Sequence, residues 1–213
     1  MLAAFSLGTS NAMANVKTSI ETIRRHDLVE AAYFTFLEHG LTGMTMARIG
    51  ERAGMSHGIV NYYFSSKDEL LSAVVRKANF LIMQDRARRL RMARKPRERI
   101  SAIIASNFTS DLFTRDIARA WVSYYAAFGQ QPQFERLQNA VDRRLKSNLN
   151  HALHRLTSPE RAKEIAMGIA VLIDGLWLRH AKSDDNIDAN MAIRHIESYV
   201  DHHLGKSRRK VTA

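Results

Sequence analysis

Cysteine is absent from the 213-residue chain, which excludes disulfides, thiolate–metal sites and thiol catalysis and suits a reducing cytoplasm. Proline is scarce at 3 residues and glycine numbers only 10, so little interrupts helices. No stretch reads convincingly as a strand, and neither an internal repeat nor a low-complexity tract is present. No apolar run reaches the ~20 residues that a membrane-spanning helix requires, and Asp174 interrupts the longest one. A phosphate-binding glycine loop and a nucleophile–base pair are also missing. His151 and His154, and His202 with His203, have no carboxylates at metal-ligand spacing. These absences predict an all-α protein with no membrane partner, no cofactor, no metal and no enzymatic activity.

Hydrophobic residues make up 46% of the chain, enough to bury a core in one large or two small domains. The net charge of +11 points to an anionic partner. Its distribution is uneven. Residues 1–70 carry 6 Lys/Arg against 7 Asp/Glu, whereas residues 71–100 carry 10 against 2. The positive excess therefore lies away from the stretch that is richest in recognisable pattern.

That stretch is residues 44–70. Thr45 is placed to cap a short helix on which Ile49 and Ala53 share a face. Gly50 leaves room for a second helix to approach. Gly54 can adopt positive φ, ending the first helix and turning the chain, and Met55 plugs the corner. Ser56 is placed to cap a second helix, with Val60 and Tyr63 inward and His57, Gly58, Asn61 and Tyr62 outward. Two short helices joined by a tight glycine turn make a helix-turn-helix, whose second helix fits the major groove of DNA. His57 and Asn61 can reach base edges, and Asn pairs well with adenine. Gly58 lets the helix backbone approach closely. Thr45, Ser56, Tyr62 and Lys67 suit phosphates, and Arg48 suits the rim. Ser66 is placed to cap the next helix, with Glu69 three residues on in capping-box position.

The run Ser56-x-Gly58-Ile59-x-x-Tyr62-Tyr63-Phe64-x-x-Lys67-x-x-Leu70 resembles the signature of TetR-family transcriptional repressors. The resemblance implies an N-terminal three-helix helix-turn-helix domain followed by a C-terminal helical domain for ligand binding and dimerisation. The partners it implies are a near-palindromic double-stranded DNA operator, a small-molecule effector and a second copy of the chain. One helix-turn-helix reads half a site, so the geometry also calls for a two-fold dimer.

The remaining chain is read as follows. Residues 1–19 are expected to be a disordered extension; Ala12-Met13-Ala14 looks like a signal-peptidase site, but no positive charge precedes the apolar run. Helix 1 is expected over about 20–39, stopped by Gly40, with Arg24 and Arg25 either solvated or near a phosphate. The helix-turn-helix domain spans 20–66, the effector and dimerisation domain 67–204, and a basic flexible tail 205–213. The arginine-rich run 86–99 reads either as a solvated helix end with a corner at Pro96 or as a nonspecific attractor of DNA. Arg86 lies roughly 27 Å along a straight helix from Asp68, too far for the same groove. Later helices are expected at 98–114, 115–129, 133–156, 159–181 and 187–204.

Trp121, Tyr124, Tyr125 and Phe128 fall on one helical face. Such a stripe is either ordinary core or a cation–π cage for a quaternary ammonium, with Phe108 and Trp177 as further members. Gly168, Asp174, Gly175 and Leu178 on the apolar helix suit a self-complementary four-helix interface. Asp174 is alternatively the counter-charge for a bound cation. Ser106-Asn107-Phe108, Ala120-Trp121, Gln131-Pro132, Arg136-Leu137-Gln138, Arg143-Arg144-Leu145 and Leu172 to Arg179 resemble the BetI group within the TetR family. That resemblance implies control of glycine betaine synthesis in response to choline. The alternative is a TetR-type regulator of another operon with a different lipophilic or cationic effector.

Overall fold

The computed structural model describes residues 7–126, 132–182 and 187–205; side chains are described from residue 20 onward within these spans, Gln133 excepted. Among the described residues there are nine α-helices and no strand: α1 (Leu7–Gly43), α2 (Met46–Ala53), α3 (His57–Tyr63), α4 (Lys67–Met92), α5 (Pro96–Ala105), α6 (Arg115–Tyr125), α7 (Pro132–Leu153), α8 (Pro159–Lys182) and α9 (Ala189–His203). None of these helices is long and apolar enough to cross a membrane. The chain divides into two compact units, Met1–Lys77 and Ala78–Ala213.

In the first unit, α1 carries Leu28, Ala31, Ala32 and Phe36 into a core completed by Met44, Ile49, Val60, Phe64, Leu70, Leu71 and Val74. The first turns of α4 therefore belong with this unit, which extends to Lys77. Helical backbone begins at Leu7, earlier than the start near residue 20 that the sequence pattern gives for the first helix. The reason is local: no proline lies between Leu7 and Ile20, so nothing stops the helix from propagating toward its N-terminus. Gly40 breaks α1 as its sequence position predicts, with φ 63° and ψ −170°, although helical turns resume to Gly43.

Arg25, with 46% of its side chain still exposed, has a structural task as well: its guanidinium bonds to Glu69 at 2.8 Å and to the Tyr63 carbonyl, and lies 4.1 Å over the Phe64 ring. It ties α1 to the end of α3 and the start of α4. Glu69 also accepts from the Ser65 N–H at 2.9 Å, while Ser66 Oγ accepts from the Glu69 N–H at 3.1 Å. The capping box thus closes one residue before its expected partner. Arg25, followed by the Ser65 N–H, holds the Glu69 carboxyl below its ordinary range.

In the second unit, Ile100, Ile103 and Ile104 of α5 pack with Leu149 and Leu153 of α7, Ile165 and Ile169 of α8, and Ile196 and Val200 of α9. Arg97 ties α5 to α9 through Glu197 and through Asp201 at 2.7 Å. Pro96 opens α5, and Glu98 accepts the preceding N–H groups of Arg94 and Lys95 at 2.8 and 3.1 Å. The helix stops at Ala105, nine residues short of the expected end. The Ser106 hydroxyl and Asn107 amide both fold back on the Ile103 carbonyl at 2.7 Å, competing with further helix, and Thr114 starts α6 afresh. Neither expected role of the arginine run covers all its members: Arg97 is in the clamp above, and Arg86 is buried, its Nε donating to Ser106 Oγ at 3.1 Å.

Candidate functional site

Two clusters of candidate residues emerge, one in each unit. The first is built on the corner between α2 and α3. Thr45 Oγ1 accepts the Arg48 N–H at 3.3 Å and Ser56 Oγ accepts the Ile59 N–H at 3.4 Å, so each helix starts on its expected cap. Gly54 ends α2 in the left-handed conformation, φ 63° and ψ 32°. The chain then doubles back tightly enough for the Met55 N–H to reach the Gly50 carbonyl at 2.8 Å. A Cβ on Gly50 would stand 2.7 Å from the Met55 carbonyl oxygen and 3.2 Å from Val60, so glycine is what allows α3 to seat here. Val60 is fully buried beneath.

This seating leaves one face of α3 in solvent. His57, Gly58, Asn61 and Tyr62 are all exposed, Tyr62 by 73%. Ile59 is exposed by 43% as well, an apolar side chain among polar ones, and suits contact with a thymine methyl group. Its exposure is missed by sequence pattern because an isoleucine inside a helix reads as core. Thr45, Arg48 and Ser56 are exposed at the rim, with one Arg48 N–H group donating to the Gly43 carbonyl at 3.0 Å. Lys67 sits differently. It is half-buried, and its Nζ donates to the Leu41 carbonyl at 2.6 Å, bracing the loop after α1. A phosphate would have to share that ammonium with the carbonyl.

The second cluster divides the expected aromatic set in two. On α6, Trp121 meets Tyr124 edge-on at 5.5 Å, and Tyr124 lies 5.7 Å from Tyr125 and 5.5 Å from Phe134 of α7. Phe128 lies outside the described residues. Phe108 and Trp177 are found instead in a separate group around Phe113, at 5.1 and 5.0 Å from its ring, with His180 stacked on Phe113 at 4.3 Å. The Trp177 indole N–H donates to the Asn107 carbonyl at 3.2 Å. Phe113, Phe134 and His180 are absent from the sequence-based set. Phe113 falls in the irregular segment after α5, where helical periodicity cannot report which way a side chain turns.

The α6 group faces acid. Asp174 of α8 and Asp142 of α7 are within electrostatic reach of Tyr125, whose hydroxyl is pushed up first by burial and then by these carboxylates. Burial pushes the Tyr124 hydroxyl up to about 12. Burial, followed by Asp142, raises the Asp174 carboxyl to about 6, with Lys146 opposing. Trp121 and Tyr125 keep accessible ring surface, so aromatic faces and two carboxylates stand together, a chemistry that favours an organic cation.

Of the expected interface residues, Gly168 is used inside the chain. A Cβ there would come within 2.0 Å of the Tyr199 hydroxyl oxygen, so within the chain it is a seat for α9. Gly175 has open space around it, Leu178 is exposed, and Asp174 keeps part of its surface in solvent while its carboxyl faces the Asp142 charge. With Met167 (52% exposed) and Val171 (60%), they line one stripe of α8.

Comparison with known proteins agrees with this architecture. Residues 28–74 match the family of bacterial regulatory proteins described as the tetR family, and residues 96–205 match the C-terminal domain of BetI-type transcriptional repressors. The HTH-type transcriptional regulator BetI of Brucella melitensis is 39% identical over 184 residues, covering 86% of this chain and 93% of that protein. BetI of Paraburkholderia xenovorans is 37% identical over 186 residues, covering 87% and 95%. Among solved structures, a putative transcriptional regulator from Saccharomonospora viridis in complex with choline superposes with a TM-score of 0.74 at 19% identity, covering 85% of this chain and 97% of that one. A putative regulator from Pseudomonas aeruginosa PAO1 gives 0.74 at 23% identity, covering 90% and 95%. At these identities the structural likeness establishes the fold.

Proposed function

The chain belongs to the TetR family of bacterial regulatory proteins, with a BetI-type C-terminal domain, and from that premise we propose that it is a homodimeric repressor released from its operator by a choline-like quaternary ammonium. Its named relatives are transcriptional regulators and not enzymes. The observation that carries the DNA-binding half of the reading is the exposed polar face of α3, held on a capped and glycine-tightened corner. In this reading Asn61 and His57 contact base edges, Ile59 a thymine methyl group, and Thr45, Ser56, Tyr62 and Arg48 the phosphates. Lys67 contributes as a phosphate contact while bracing the Leu41 carbonyl. The exposed stripe of α8 supports the dimer, which sets two recognition helices about 34 Å, or a multiple, apart on successive half-sites.

The effector half rests on Trp121 and Tyr125 beside Asp142 and Asp174. A quaternary ammonium donates no hydrogen bond, so ring faces and carboxylate charge are the contacts open to it. Phe108 and Trp177 enter this reading as a second aromatic wall, and the choline complex of the Saccharomonospora viridis protein supports the ligand class. The mechanism runs through α4, which contributes residues to both units. Ligand occupancy shifts α4, the recognition helices leave register, and operator affinity falls by the factor by which the ligand prefers the DNA-incompetent state. The test is a gel shift with the DNA upstream of the protein's own gene, with and without millimolar choline, alongside calorimetry of choline binding. Retarded DNA released by choline is the expected result. Retarded DNA indifferent to choline, with no heat of binding, would overturn the effector assignment and leave a TetR-type regulator of another operon.

A further inference from the structure

α4 is one helix with partners in two places. Its first three turns belong to the first unit, where Leu70, Leu71 and Val74 are fully buried in the core that α1 builds with Leu28 and Phe36. Its later turns bond within the second unit, Arg86 to Ser106 and Met83 to Arg144 of α7. A displacement of α4 that begins in the second unit therefore has to pass Lys77, the last residue of the first unit, before it reaches α3.

An ion pair stands at that crossing. The Lys77 ammonium bonds to a Glu30 carboxylate oxygen on α1 and lies 5.2 Å from the centre of the Tyr33 ring. The Lys77 and Glu30 side chains are only 19% and 32% exposed, and Tyr33 is buried. His26, one turn earlier on α1, approaches the same Glu30 oxygen at 3.4 Å. Taking an ammonium and a carboxylate this far out of water costs about as much as their attraction returns, so packed apolar side chains would hold the two helices together as well. What the pair supplies beyond apolar packing is register. Both the charge–charge bond and the ammonium–ring contact are lost if α4 slides along α1 or rolls on it.

A second tie of the same kind stands eight residues back, about 12 Å along the helix, where Glu69 holds Arg25 of α1 at 2.8 Å. Packed helices commonly absorb a motion by sliding a little over one another. Two directional ties at separate points of α4 oppose that loss. α1 then passes the motion on, because Leu28 and Phe36 share their core with Ile49 of α2 and Val60 of α3.

We propose that Glu30 and Lys77, with Tyr33 against the ammonium, are positioning residues of the regulatory response: they carry effector-driven movement of α4 into α1 and so to the recognition helix, and they touch neither DNA nor effector. This rests on the effector-release reading above and assigns residues that transmit the release.

The test is fluorescence anisotropy of the full-length protein on the DNA upstream of its own gene, with and without saturating choline, alongside calorimetry of choline binding. The proteins compared are the wild type, Lys77→Gln, Glu30→Gln, the double variant and Lys77→Arg. The quantity read is the release factor, the ratio of operator affinity without choline to that with it. K77Q and E30Q should each keep operator affinity without choline, and choline affinity, within about twofold. Each should bring the release factor at least about fivefold closer to one, since coupled sites commonly communicate by factors of about 5 to 150. The double variant should lose no more than either single variant, because all three remove one interaction. K77R, which keeps the charge and the ring contact, should retain most of the factor. Should K77Q fail to fold, E30Q, on the more exposed partner, and K77R carry the same comparison.

Thermal melting separates transmission from plain stabilisation. Lower melting temperatures and weaker operator binding with an unchanged release factor would make the pair a brace of the first unit and overturn the proposal. Additive losses in the double variant would overturn it also, since the two residues would then act apart. A wild type and K77Q released equally by choline would remove the proposed tie and leave the effector reading standing. A wild type that binds the operator and ignores choline would sink the effector reading together with this one.

Discussion

Asn61 and Tyr62 are neighbours on α3 with different tasks in the proposed complex. Asn61 is exposed where a bidentate contact to an adenine can form, and Tyr62 is exposed by 73% where a phosphate oxygen can reach its hydroxyl. Asn61→Ala should therefore cost about 1–3 kcal/mol on the cognate operator and little on altered sites, relaxing specificity at one base pair. Tyr62→Ala should weaken binding to every sequence alike. Fluorescence anisotropy on the operator and on single-base variants separates the two; a uniform loss in N61A would show that α3 is docked wrongly. Tyr62 is a cleaner probe than Lys67, because removing the Lys67 ammonium also frees the Leu41 carbonyl. At this scale, exposed polar positions on α3 were legible from helical spacing alone. Arg25 and Arg86 were not. Sequence shows each as a charge near other charges, and only the folded chain puts Glu69 and Phe64 beside the first and Ser106 beside the second.

The helix-turn-helix is a matter of how closely two elements approach, and its glycines divide sharply. A methyl group on Gly50 meets the Met55 backbone at 2.7 Å, whereas on Gly58 its nearest neighbour is Ser56 Oγ at 3.9 Å. Gly50→Ala should destabilise the protein by about 1–3 kcal/mol, since backbone has to move to admit it. Gly58→Ala should fold as well as the wild type or gain about 0.5–1 kcal/mol from the better helix former. It should still lose operator affinity if α3 lies close against the groove. Urea denaturation and anisotropy on the same samples decide the matter. An unchanged midpoint in G50A would contradict the packing described here, and undiminished operator binding in G58A would mean that the α3 backbone stays clear of the DNA. The ends of helices are read well from sequence when a cap or glycine marks them, as at Thr45, Gly54 and Ser56. They are read poorly where side chains fold back on the backbone, as Ser106 and Asn107 do at the end of α5. The aromatic set fails for a related reason: a shared helical face places Trp121, Tyr124 and Tyr125 together, but Phe113 and Trp177 meet across an irregular segment.

At the scale of the whole molecule the exposed stripe Met167, Val171, Gly175 and Leu178 is the surface we propose for a two-fold copy, the arrangement in which two recognition helices read two half-sites. Leu178→Asp places a charge where the single chain leaves it solvated and the dimer would bury it without a partner. The variant should remain folded by circular dichroism, sediment as a monomer, and bind the operator at least about a hundredfold more weakly at the same concentration. A dimer that survives L178D would move the interface elsewhere. Gly168 shows why such surfaces are hard to read in advance. It falls on the same apolar helix, yet Tyr199 occupies it from within the chain. By itself the sequence determined the helical class, the capped corner, the outward face of α3 and the family, because these depend on short-range spacing, glycine conformation and local capping. Which aromatics meet, which glycine seats a helix, and which arginines are paired or buried alone were decided by tertiary structure. Each depends on contacts between residues far apart in the chain, such as Arg97 with Asp201 or Trp177 with Asn107, and no local period encodes them.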